Sequence, residues 1–141
     1  MGNGMETALT WLHVSGNIVW IGAILAVGAV MTSQLSDSKT RGALALQIYK
    51  SLAVPAFVVS FGFGAVRLFM DTSYYLKEHH WMHGKLGLAV GVIAIHHVLG
   101  GRAKRMAAGT VTTAGPTGAL TVALGVLAVL ATFSAVMKLP R

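Results

Sequence analysis

Residues 9–31 read LTWLHVSGNIVWIGAILAVGAVM, and no formal charge occurs anywhere between Glu6 and Asp37. About 20 apolar residues in a helix suffice to cross a bilayer, so this run predicts a membrane span. Working outward, three more runs follow. The second is centred on the 16 uncharged residues between Lys50 and Arg67. That is short for a span, unless Leu44, Leu46 and Ile48 extend it and the flanking cations snorkel or find partners. The third covers Trp81–Gly100 and holds Lys85, and the fourth covers Gly118–Met137 between Pro116 and Lys138. The expected fold is all-α, a single four-transmembrane-helix up-down bundle over residues 1–141, with helices at about 9–31, 44–69, 81–100 and 117–137. The runs are continuous rather than alternating, which argues against barrel strands.

Composition agrees. The chain has 141 residues, 55% of them hydrophobic and only 11% charged, with a mean hydropathy of +0.69. A soluble domain carries roughly a quarter charged residues, and a disordered one needs low hydrophobicity. The net charge is +7, but its 11 Lys and Arg punctuate apolar runs instead of forming a patch, so nucleic acid is not the expected partner and membrane lipid is. No cysteine is present, which excludes thiolate ligands and thioether-attached haem. The first run has no basic stretch before it and is read as a retained span. Four crossings put both termini on one side. The opposite loops carry +5 and the terminal side +2. The positive-inside rule then places both termini on the non-cytoplasmic side.

Six histidines are the unusual feature: His13, His79, His80, His83, His96 and His97. His13 and His83 begin the first and third spans at one depth, close to Arg67 and Lys85. Ionisable groups inside a span are costly and have a pairing or functional reason. Haem b fits such a set, with His13 and His83 as axial ligands to its iron, and Arg67 and Lys85 against its propionates. Gly16 and Gly87, one turn on from each histidine, leave room for a thin ring. The competing reading is a buried imidazole hydrogen-bonded to a neighbouring helix. His79 and His80, beside Trp81, read as interfacial residues. His97 lies fourteen residues, or about 21 Å, beyond His83. A second haem there would need a ligand such as Met31, Tyr49 or Met106. The four acids, Glu6, Asp37, Asp71 and Glu78, make no carboxylate pair, and no phosphate loop or dinucleotide fingerprint occurs.

Trp11-Leu12-His13 with Asn17–Gly22, then Tyr49, Pro55 and Gly62–Gly64, and above all Trp81-Met82-His83-Gly84-Lys85-Leu86 and His96-His97-Val98-Leu99-Gly100-Gly101-Arg102, resemble a known set. They are similar to the flavin-free, four-helix membrane protoporphyrinogen oxidases of bacteria and cyanobacteria, and distantly to copper-resistance membrane domains. The resemblance implies haem b, ligand or substrate contacts at His13 and His83, and a functional Lys85; Arg67, from its depth and charge, joins Lys85 as a candidate catalytic residue holding substrate carboxylates. It further implies oxidation of protoporphyrinogen IX with electrons passing to a quinone. The chain departs from the pattern at Thr112–Pro116, where that family carries Asn, Glu and Arg, and at Met31–Asp37. Those departures point to the alternative: a non-catalytic haem-carrying or structural subunit of a larger membrane electron-transfer complex. It would dock through helix 4 at Gly125 and Ala128.

Overall fold

The computed structural model describes residues 3–78 and 81–137, and all its regular elements are helical. They are α1 (Asn3–Thr32), α2 (Ser38–Ile48), a π-helical turn (Tyr49–Ala53), α3 (Val54–Met70), a second π turn (Tyr74–Glu78), α4 (Trp81–Ala107) and α5 (Thr117–Met137). Four of the resulting helices are long and apolar enough to cross a membrane: Gly4–Thr32, Ser38–Met70, Trp81–Ala107 and Thr117–Met137.

Three of the four spans are longer than the apolar runs alone suggest. In α1 the helix starts six residues before Leu9. In α4 it continues past Gly100 for two turns that carry Arg102, Lys104 and Arg105. Charged side chains at these depths reach headgroups or water, so charge does not stop the helix. Gly109 does so, at φ 76°, with its N–H on the Met106 carbonyl. The second span runs through Lys50 as α2, the π turn and α3, and this resolves its apparent shortness. Pro55 explains the turn. A proline in a helix has no N–H to donate and crowds the carbonyl four residues back. The π turn absorbs the misfit, and Val54 N–H bonds instead to the Tyr49 carbonyl. Asp37 starts α2 by accepting bonds from Thr40 N and Oγ1 (3.0 and 2.6 Å). Those bonds hold its carboxyl below the usual aspartate range. The cap therefore contributes at neutral pH and is lost only as pH falls through that lowered value.

The helices do not surround one another evenly. α1 is central, packed on α3, α2 and α5. α4 packs on α5 and α2 and makes fewer contacts with α1, among them Trp20 with His96. The second span crosses over: its α2 half lies on α4 and its α3 half on α1. α3 and α4 come together chiefly where Phe57 meets His96 and His97. Ile24, Val27, Met31, Leu99, Met106 and Leu124 fill the core and are fully enclosed.

Small residues set these contacts. A Cβ on Gly16 would fall 2.9 Å from Ser60 N, and one on Gly42 would strike the backbone of Met106 and Ala107. One on Gly28 would strike Thr121. Lipid offers no hydrophobic drive between spans, so close van der Waals approach must supply the association. Gly125 and Ala128 face inward, toward Leu25 and the core. The exposed stripe of α5 is Val122, Val126, Val129, Phe133 and Val136, so the docking face expected at Gly125 and Ala128 is instead an internal contact.

Gly42→Val should lower stability by about 1–3 kcal/mol through overpacking. Gly22→Val, where an added Cβ meets nothing within 4 Å, should not. Thermal unfolding in detergent followed by circular dichroism separates the two.

Candidate functional site

At the end of the bundle where α1 begins, His13 points from α1 into α3. Its Nδ1 lies 2.7 Å from the Ser60 carbonyl and its Nε2 3.2 Å from Asn17 Nδ2. A carbonyl can only accept, so Nδ1 carries the proton and Nε2 the lone pair, which takes the amide hydrogen of Asn17. Gly64 makes the fit possible: a Cβ there would sit 2.7 Å from the imidazole. The imidazole hydrogen-bonded to a neighbouring helix is therefore present. The same bond is what fixes the tautomer of metal-bound histidines, leaving Nε2 free to ligate.

Arg67, one turn beyond Gly64, reaches back to α1. Its guanidinium donates to the Glu6 carbonyl (3.0 Å), to Thr10 Oγ1 and to the Tyr75 hydroxyl (2.6 Å). Tyr75 comes from the π turn after α3, and its ring meets Trp81 edge-on at the start of α4. This small arch closes the end of the gap between α3 and α4. Beside it opens a hollow of about 330 Å³ lined by Glu6, Arg67, Met70, Asp71, Tyr74 and Tyr75. Lys85 lies half-buried on the inward face of α4, and the charges that act on it and on His13 include Arg67. A neutral His13 thus lies within reach of the charges of Arg67 and Lys85 inside the spans.

His83 and Gly87 are elsewhere. The buried stripe of α4 runs through Trp81, Val92, His96, Leu99 and Ala103, with Lys85 in line. His83, Gly87, Val90, Ala94 and His97 form the exposed stripe. At 100° per residue His83 stands roughly 160° from the buried one. Arg67 and Lys85 act electrostatically on His13, while His83 lies on the exposed face of α4, opposite Lys85. Gly16 is filled by Ser60, while Gly87 faces open space. His79 and His80, expected at the interface, lie outside the described residues.

A second polar centre sits deeper. His96 is fully buried, and its Nδ1 accepts from Trp20 Nε1 at 3.0 Å. Tyr49 and Phe57 cover the ring at 4.9 and 5.2 Å between centroids. Nδ1 accepts, so a neutral ring has its proton on Nε2, and that atom is buried with no partner among the described residues. Rings this closely set leave no gap for a porphyrin at His96. Tyr49 reaches it because Gly100 has no side chain in the way. Arg102 is a third centre that the residue pattern alone did not assign. It donates to Thr117 Oγ1 (3.0 Å) and to the Ala114 carbonyl (2.7 Å), stapling the α4–α5 loop across the departing segment Thr112–Pro116.

No protein-family model, curated protein or solved structure matches this chain. The reading of its function therefore rests on the geometry above and on the motifs it carries.

Trp20→Phe should cost about 1–3 kcal/mol by leaving His96 with a second buried, unpaired nitrogen. Adding His96→Leu should recover much of that loss, since an apolar pair needs no partner. Chemical or thermal unfolding of the single and double variants gives the coupling; simple additivity would mean the bond contributes nothing specific.

Proposed function

We propose that this chain is an integral membrane protein that binds a porphyrin carboxylate, haem b, at the cluster of His13, Arg67 and Lys85. The observation that carries the reading is the sign of the charges. Lys85 lies half-buried inside a membrane span and the charge acting on it, Arg67, shares its sign, while Arg67 itself also borders Glu6 and Asp71. Like charges at low dielectric repel strongly, and a buried cation calls for an anion. Two propionates answer both cations with one ligand. His13 fits the same ligand: Nδ1–H is held by Ser60, and Nε2 becomes available once Asn17 lets go. Haem would supply one-electron chemistry at this site. His13 would face its iron, and Arg67 and Lys85 its carboxylates. With His83 on the far side of α4, a ligand set using His13 alone is favoured over a two-histidine clamp.

The motif resemblance adds the reaction: oxidation of protoporphyrinogen IX, with the released electrons and protons taken up by a membrane quinone. The porphyrinogen carries the same two propionates, so Arg67 and Lys85 would position substrate as well as haem. The residues support binding more directly than turnover. A subunit role has less support, because the exposed valine stripe of α5 is what lipid alone requires. The motif resemblance suggests a bacterial inner membrane, and the charge distribution supports both termini lying outside.

Purified protein should yield a pyridine haemochrome of haem b. His13→Ala should abolish the Soret band, Arg67→Gln or Lys85→Gln should weaken haem retention about tenfold, and His83→Ala should leave the spectrum unchanged. Retention of the native spectrum in His13→Ala would refute the assignment. Rescue of a bacterium lacking its own protoporphyrinogen oxidase tests the reaction separately.

Cysteines placed near Gly4 and near Ala107 test the orientation. An impermeant thiol reagent applied to whole cells should label the first and spare the second, and the reverse pattern would invert the topology.

A further inference from the structure

The outward face of α4 carries a seam that steps alternately by four and three residues: His83, Gly87, Val90, Ala94, His97 and Gly101, all exposed. Such steps give a repeat of 3.5, the period at which two helices keep one face together along their length. Spacing alone decides nothing, because the exposed stripe of α5 (Val122, Val126, Val129, Phe133 and Val136) has it too. The chemistry differs. The α5 stripe is wholly apolar and suits acyl chains. The α4 seam holds two imidazoles, and a Cβ on Gly87 or Gly101 would meet nothing within 4 Å. His97 decides between lipid and protein as the neighbour of this face. It stands five residues before Arg102, or about 7.5 Å inward of it along the helix, within an apolar span. Its ring meets those of Phe57 and His96 edge-on, yet neither nitrogen makes a hydrogen bond among the described residues. Lipid tails offer no partner, and a polar group left unpaired in hydrocarbon is costly. Unlike the enclosed Nε2 of His96, the His97 ring is open to whatever packs on this face.

We propose that the α4 seam is a homodimer interface, packed on the same seam of a second copy. Hydrogen-bond complementarity favours that occupant. Every copy crosses the membrane in the same sense, so paired α4 helices run parallel, and a twofold axis along the membrane normal brings equal residues to equal depth. His97 then meets the same histidine of the second copy. A neutral imidazole carries one donor and one acceptor, so it is its own complement: one ring donates and the other accepts. Gly87, Ala94 and Gly101 have no bulk to hold the helices apart, and close approach is what association between spans requires. From His83 to Gly101 the seam covers 18 steps, or about 27 Å, close to the roughly 30 Å thickness of the hydrocarbon. Lys104 and Arg105 lie past its end, where headgroups and water screen their repulsion. The interface is on the face of α4 opposite Lys85 and does not depend on the haem reading.

The chain has no cysteine, so single introduced cysteines report the contact in membranes containing the full chain. Under oxidation, Ala94→Cys should cross-link two copies, and Val129→Cys on the lipid-facing stripe of α5 should not. His97→Leu should weaken dimerisation about fivefold, the order of one hydrogen bond between spans. Gly87→Leu should lower the cross-linked fraction of Ala94→Cys about tenfold by holding the helices apart. Its new side chain meets nothing within its own chain, so circular dichroism should be unchanged, and it decides the matter if His97→Leu fails to fold. Equal cross-linking from Ala94→Cys and Val129→Cys, or cross-linking untouched by Gly87→Leu, would overturn the proposal. So would a purified single copy that holds a quinone or a different protein and loses it in His97→Leu, which would mark another occupant of the seam.

Discussion

Two polar rings, Trp20 and His96, meet in the middle of a bundle that has no water to give either of them. Their bond is made where α1 approaches α4, and the rest of the packing is arranged around it. The two helices otherwise belong chiefly to different partnerships, α1 with α3 and α4 with α5. Phe57 and Tyr49 from the second span cover the imidazole, so three of the four spans meet at one histidine. In hydrocarbon an unmade bond cannot be repaired by solvent, which makes such a contact more selective than its strength suggests. Helices that slide or turn lose it entirely.

Steric permission for that arrangement comes from absent side chains. Gly16, Gly28, Gly42 and Gly100 each stand where a Cβ would enter another helix or ring, and they occur on three of the spans. The result is an uneven bundle, tight around α1 and loose between α3 and α4. The looseness coincides with the region of His13, Arg67 and Lys85, and an arch through Arg67, Tyr75 and Trp81 spans its outer end. Close packing in one half thus leaves the other half free to hold groups that a close-packed core would exclude.

The four spans were legible because length and apolarity alone decide them. Their ends were less so. Arg102, Lys104 and Arg105 look like a loop to a reader who counts charge as a stop, yet at headgroup depth they are ordinary helix. The depth of His13, Arg67 and Lys85 was legible for the same reason as the spans, since axial position follows from residue count. Rotation about the helix axis was not. A lipid-facing side is as apolar as a core-facing one, so α4 gives no amphipathic pattern to orient it. Its polar residues fall on two opposite stripes, Lys85 with His96 and His83 with His97, and the sequence does not say which is inside. The partners of His13 were hidden differently: a backbone carbonyl leaves no mark in a sequence. The role of Arg102 was hidden likewise, because its acceptor at Ala114 is a carbonyl of an unremarkable loop.

The π turn at Tyr49–Ala53 works as a phase shifter. It lodges one residue beyond what an α-helix would hold, so α3 leaves it rotated by about 100° from the course set by α2. Gly42 and Ala45 can therefore address α4 while Ser60 and Gly64, on the same continuous span, address α1. Without that extra residue the two halves would share one azimuth, and Ser60 would turn away from His13 with no side chain in the cluster altered. The hydrogen bond that sets the imidazole's tautomer is thus governed by an arithmetic offset upstream of Pro55. A single-residue deletion two turns away would act on the cluster as directly as a substitution within it.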